Sequence, residues 1–142
     1  SGAWGGAGNG SGLGPNLANA TATTITGAGN LYGSGVSMVT YLFATLAGVS
    51  KVGSFTHTYG TATNVDCGFA NGARFVLWKK YDGTDGWQVY DSVRGIVAGA
   101  DPFLQLNSSS AEITEDLIDP YAAGFSVASG KTSGSYIFLA IA

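Results

Sequence analysis

Charge is the first thing this chain lacks. Its six Lys and Arg and nine Asp and Glu all fall between Lys51 and Lys131, so the first fifty residues carry none. Charged residues make up 11% of the chain, against roughly 25% in an ordinary globular domain. A water-facing segment is normally rich in charge. An uncharged start reading SGAWGGAGNGSGLG is therefore expected to be spacer, buried sheet or subunit interface. This points to an assembled structural protein more than to a free-standing enzyme.

Other scarcities exclude whole classes of function. Cys67 is the only cysteine, which rules out an intrachain disulfide and a thiolate-based zinc site. His57 is the only histidine, set among hydroxyls in Phe55-Thr-His-Thr-Tyr59. A general base or metal site recruits more than this, so His57 reads as a strand-surface residue. With a net charge of −3 and Lys79-Lys80 as the only adjacent cations, nucleic acid is not an expected partner. The apolar run from Val36 to Ala47 is interrupted by Thr40 and Thr45 and falls short of the roughly 20 residues a spanning helix needs. Neither membrane insertion nor a signal peptide is expected. No GxGxxG opens a helix and no Walker lysine occurs, so no cofactor is expected. A chain that begins at Ser1 reads as processed or as a piece of something longer, and its apolar end, Ser135 to Ala142, as a strand docked into a sheet.

What is present is apolar and strand-forming. Hydrophobic residues are 45% of 142, enough to exclude disorder driven by charge and to give one domain a core. Two regions are expected: residues 1–47, an uncharged Gly/Ala/Thr-rich arm or remnant of a preceding repeat, and residues 48–142, the folded domain. The repeat reading rests on an echo, Tyr41-Leu-Phe-Ala-Thr-Leu-Ala47 against Tyr136-Ile-Phe-Leu-Ala-Ile-Ala142, as if two equivalent strands closed consecutive modules. Val36–Ala47, Val52–Tyr59, Thr61–Cys67, Ala73–Tyr81, Phe103–Leu106, Ala111–Thr114, Gly124–Ala128 and Tyr136–Ala142 read as strands. Glu112–Ile118 reads alternatively as one helical turn. Asp82-Gly-Thr-Asp-Gly86, leading into Trp87-Gln-Val-Tyr90, marks a hairpin, its glycines read as supplying positive φ. Short strands without long helices between them predict an all-β fold, an antiparallel β-sandwich of jelly-roll type behind a Gly-rich extended N-terminal arm.

Candidate chemistry is sparse. Trp78, Tyr81, Trp87, Tyr90 and Tyr121 lie on or beside the hairpin, mostly as core, with one or two left to stack on a sugar or partner. Trp78, Trp87, Tyr90 and Tyr121 are the candidates for such a contact. Asp91 and Arg94 are close enough for a local charge-assisted bond that fixes a strand exit, the alternative being an intersubunit pair. Asp66 and Cys67 are adjacent and point to opposite faces of a strand, so they form no dyad. Acids at Asp82, Asp85, Asp101, Glu112, Glu115, Asp116 and Asp119 match no calcium-loop spacing and select no glycosidase pair. They read as turns and a solvated face.

The succession Gly48-Val-Ser-Lys-Val-Gly-Ser-Phe55, Asp66-Cys-Gly-Phe-Ala-Asn-Gly-Ala-Arg-Phe-Val-Leu-Trp-Lys-Lys80, Trp87-Gln-Val-Tyr-Asp-Ser-Val-Arg-Gly95, Asn107, Gly124-Phe125 and Tyr136 to Ala142 resembles an uncharacterised domain of tailed-phage virion proteins. That domain lies near the C-termini of tail-fibre-like proteins, especially from aquatic phages. The resemblance covers about residues 48–142, and only the YLFATLA strand before them. It implies an all-β domain on a virion surface, oligomeric, without catalytic residues that carry over. The leading expectation is thus a virion structural protein, a subunit or C-terminal domain of a tail fibre or related appendage, extracellular and assembled through its uncharged arm. Its partners would be copies of itself, a trimer by analogy with phage fibres, and other virion proteins. The alternatives are a carbohydrate-binding module for a host-surface glycan, a capsid decoration or self-assembling fibre protein, and, ranked last, a glycan depolymerase. No coherent acid-base set supports an enzyme.

Overall fold

Runs of β-branched and aromatic residues, cut by Gly, Asp, Asn and Ser, fold into nine strands. They are β1 (Ser50–His57), β2 (Thr63–Asp66), β3 (Phe75–Lys80), β4 (Gln88–Asp91), β5 (Asp101–Gln105), β6 (Ile113–Glu115), β7 (Ile118–Tyr121), β8 (Gly124–Val127) and β9 (Gly134–Ile141). The computed structural model describes residues 41–142, within which Thr45–Ala142 is a compact unit. No helix forms among the described residues. The strands make two antiparallel sheets, one of six in the order β1-β9-β3-β4-β5-β6 and one of three in the order β2-β8-β7. The expected all-β sandwich is what the chain builds.

The hydrophobic pattern of β9 sets the large sheet. Its alternation turns Tyr136, Phe138 and Ala140 to one face and Ile137, Leu139 and Ile141 to the other. Register then fixes the inner face: Phe55 opposes Tyr136, Trp78 opposes Phe138, and Val76 opposes both Ala140 and Tyr90. Phe125, from the middle strand of the small sheet, enters this aromatic floor. Its ring lies 5.4 Å from Phe138, 5.8 Å from Trp78 and 5.9 Å from Phe55, centroid to centroid. Phe55 stacks on Tyr136 at 5.0 Å. Trp78, Tyr90, Phe103, Ile118, Phe125 and Tyr136 are fully buried, so the two sheets meet over one core. Cys67 packs there as a small hydrophobe, its thiol pushed up to about 11 chiefly by burial.

The outer face of the large sheet carries an apolar strip as well. The same register puts Val52, Ile137, Leu139, Ile141, Phe75, Leu77, Val89 and Leu104 on it. Leu139 and Val89 are buried, Phe75, Leu77, Leu104 and Ile137 half-buried, and Val52 and Ile141 exposed. An antiparallel sheet with one wet face alternates apolar and polar residues. Here Ser50, Ser54, Thr56, Lys79, Asp91 and Ser135 share the face, so the apolar residues form a strip within a mixed surface.

Three expectations fail, each for a physical reason. Residues 36–40 of the expected strand Val36–Ala47 lie outside the described residues, and 41–45 form no strand. Leu46 makes only an isolated bridge to Ser50. Gly48, at φ +72°, reverses the chain there and starts β1. Tyr41–Ala47 is therefore no structural twin of β9. The alternative helical turn over Glu112–Ile118 is replaced by β6, a turn and the first residue of β7. Strand β7 was not foreseen because it contains Pro120, which lacks the ladder N–H; as an edge strand of the small sheet it tolerates that loss.

The hairpin of β3 and β4 forms as expected, with Val76 facing Tyr90 and Trp78 facing Gln88. Its glycines serve another purpose, because neither Gly83 nor Gly86 has positive φ. A Cβ on Gly86 would lie 2.5 Å from Asn107 Oδ1, and that oxygen accepts the Trp87 N–H at 2.8 Å. Gly86 is needed for this close approach, not for its turn angle.

Candidate functional site

Two recesses concentrate the polar side chains of the sandwich. The first surrounds Lys131, which is 3% exposed. Its Nζ donates to Gln88 Oε1 at 2.9 Å and stands 3.5 Å from Asp85 Oδ2. The ammonium also lies over the Tyr136 and Trp78 rings, 5.4 and 5.9 Å from their centroids. Gln88 Oε1 accepts a second bond, from the Trp78 indole N–H at 2.6 Å. Desolvation lowers the Lys131 pKa and the Asp85 carboxylate works against that fall. The recess beside it, about 230 Å³, is lined by Asp85, Gln88, Gln105, Glu115 and Thr132 among others.

His57 lies close to this network and corrects the expectation of a surface histidine. It is 2% exposed, and its Nδ1 pairs with Thr63 Oγ1 at 2.9 Å, tying β1 to β2 and so one sheet to the other. The Thr63 partner is a hydroxyl, as the sequence suggested. Burial lowers its pKa, the Lys131 backbone carbonyl opposes this, and the Lys131 charge adds to it.

The second recess is a cleft of about 540 Å³ at the β2–β3 connection, within the usual span of ligand pockets of roughly 300–1,000 Å³. Asn71, Arg74, Ser92, Ile96, Pro120 and Tyr121 line it, together with Ala and Gly backbone. Its walls are fixed by main-chain bonds. Gly72 N donates to Ala122 O at 2.7 Å, Ala73 N to Gly124 O at 2.7 Å, Arg74 N to Ile141 O at 2.8 Å and Ser92 N to Arg74 O at 2.8 Å. The Arg74 side chain is exposed and belongs to none of the ion pairs among the described residues, which join Arg94 to Asp91 and Glu112 and Lys131 to Asp85.

The residues expected to make a partner contact are dispersed. Trp78 and Tyr90 are both 0% exposed, with their rings 4.8 Å apart in the core, so neither presents a face to a sugar. Trp87 is half-buried immediately before β4 and lines neither recess. Tyr121 is half-buried and lines the larger cleft. Asp91 and Arg94 meet within the chain: Arg94 Nε donates to Asp91 Oδ2 at 2.8 Å and Nη2 lies 2.7 Å from the same oxygen. Asp91 Oδ1 also accepts the N–H groups of Val93 and Arg94, at 3.0 and 2.9 Å. These bonds, the Arg94 backbone N–H foremost, hold the Asp91 carboxyl below its ordinary range. Arg94 reaches on to Glu112 at 3.7 Å. The hairpin acids are held too: Asp82 Oδ2 accepts from Ser135 N at 2.8 Å, and the Asp85 carbonyl from Lys79 Nζ at 2.9 Å. Among the described residues no three His, Cys, Asp or Glu gather as a metal-holding group.

Arg74, Asn71, Ser92 and Lys131 were not singled out from sequence. One signal was there. Arg74 and Lys131 have no acidic residue within four positions, a property they share only with Lys51 among the six cations.

The described residues form a two-sheet β-sandwich module with a charged recess around Lys131 and a cleft beside Tyr121. The chain belongs to the family described as Domain of unknown function (DUF7483), whose match runs over residues 7–142. That match takes in most of the uncharged segment as well as the sandwich. No curated protein and no solved structure matches the chain.

Proposed function

We propose that the chain is a structural module of a virion surface, a subunit or C-terminal domain of a tailed-phage tail fibre or related appendage. It works extracellularly, assembled with copies of itself and other virion proteins. The observation that carries this reading is the apolar strip on the outer face of the six-stranded sheet. Its exposed members Val52 and Ile141, with Leu77 and Ile137 half-buried beside them, cost free energy if wetted and gain it when a neighbouring subunit covers them. The uncharged segment before residue 48 suits the same role, since it presents no charge to desolvate at an interface. Light scattering of the full chain against Val52→Lys/Ile141→Lys tests it. Both side chains are exposed, at 40% and 37%, so the fold survives the change. The expected result is an oligomer that falls to a monomer in the double variant. A monomeric parent chain would contradict the reading.

One observation favours a second reading, a carbohydrate-binding module. The cleft is lined by Tyr121 together with Asn71, Ser92 and Arg74, the mixture of apolar and polar residues that a sugar site draws on. Saturation-transfer NMR with a panel of oligosaccharides tests it, and loss of transfer in Tyr121→Ala is the expected outcome. A panel that gives no transfer at all would contradict it.

A further inference from the structure

We infer that the Tyr121 cleft takes a carboxylated sugar, with Arg74 as the group that selects its charge; this rests on the carbohydrate reading of the cleft. The argument is one of charge accounting. No carboxylate lines the cleft, and Arg74 is its one charged lining residue. Of the chain's other arginine and its buried lysine, Arg94 is committed to Asp91 and Glu112 and Lys131 to Asp85. Arg74 alone of these three belongs to no ion pair among the described residues, and it is an exposed lining residue of the cleft.

A guanidinium presents two parallel N–H donors whose spacing matches a carboxylate. Asn71 and Ser92 supply the amide and hydroxyl that ring hydroxyls bond, and Tyr121, Ile96 and Pro120 supply the apolar wall against which a pyranose lies. A neutral sugar leaves the guanidinium without a counter-charge, whereas a carboxylate meets both donors of its planar fork. Because the protein carries a net charge of −3, its overall field repels anions. Attraction must come from Arg74 locally, which makes binding sensitive to one residue and to salt.

The test is isothermal titration of the full-length chain with a galacturonic acid tetramer, with 3′-sialyllactose and with lactose as the neutral counterpart, at low and at physiological salt. One or both acidic sugars are expected to bind and lactose to bind at least about tenfold more weakly, the size of one charge-assisted bond. Arg74→Gln is expected to erase that difference. Arg94→Gln, which removes an arginine already paired inside the chain, is expected to leave it. Melting temperatures of both variants report whether the fold is intact. Equal affinity for acidic and neutral sugars would overturn the charge selection and leave the carbohydrate reading standing. Binding of neither kind would overturn both.

Discussion

The two recesses hold the same kind of group under opposite conditions. Around Lys131 the cation is buried, bonded to Gln88, paired with Asp85 and laid over two aromatic rings. Around Arg74 the cation is exposed, and the cleft it lines has no acid of its own. A buried charge left without its partners is costly, whereas an exposed guanidinium costs little and is free for a ligand. The contrast teaches that the lysine belongs to the architecture and the arginine to the surface, although neither has an acid within four positions in sequence.

The hardest way to break the comparison is to remove the core beneath it. Phe125→Ala takes away the ring that the small sheet inserts against Phe55, Trp78 and Phe138, and is expected to cost about 3–5 kcal/mol in denaturant unfolding. Gln88→Leu acts on the Lys131 side alone. It strips Trp78 Nε1 and Lys131 Nζ of a shared acceptor, and a loss of about 1–3 kcal/mol is expected. No loss would mean that the network is not what holds Lys131.

The smallest effect is a pH dependence. His57 has a folded pKa below its ordinary 6.5, so the unfolded chain takes up the proton first. Its contribution is complete above about pH 6.5 and is lost as pH falls through the lowered folded value. The melting temperature should drop as acid is added through this window, and His57→Gln should flatten the drop. Asp101, raised chiefly by burial, works in the opposite sense: its penalty is relieved as pH falls through its raised value. A wild-type profile no steeper than that of His57→Gln would contradict the assignment.

The strands were legible because their signals are local. Phe75–Lys80 and Gln88–Asp91 announce themselves by alternation around a turn, and β9 by its aromatic and branched residues. What was not legible depends on partners distant in sequence. His57 is buried by Thr63 and by the sheet above it, Gly86 is required by Asn107, and β7 survives Pro120 only because it lies at an edge. The aromatic candidates divided on the same ground. Trp78 and Tyr90 alternate onto the inner face of the large sheet, while Tyr121 ends an edge strand beside the β7–β8 turn. A cation without a neighbouring acid was visible at positions 74 and 131, but only the fold tells which of the two is buried.

The most direct test of that division is equilibrium unfolding of the full chain beside Lys131→Met and Arg74→Gln. Lys131→Met is expected to lose about 3 kcal/mol, near the lower limit for breaking a buried pair, since Asp85 keeps a side-chain exposure of 32% and rehydrates. Arg74→Gln is expected to stay within about 0.5 kcal/mol of the parent chain, as a surface change does. Equal losses, or a larger loss at Arg74, would contradict the account.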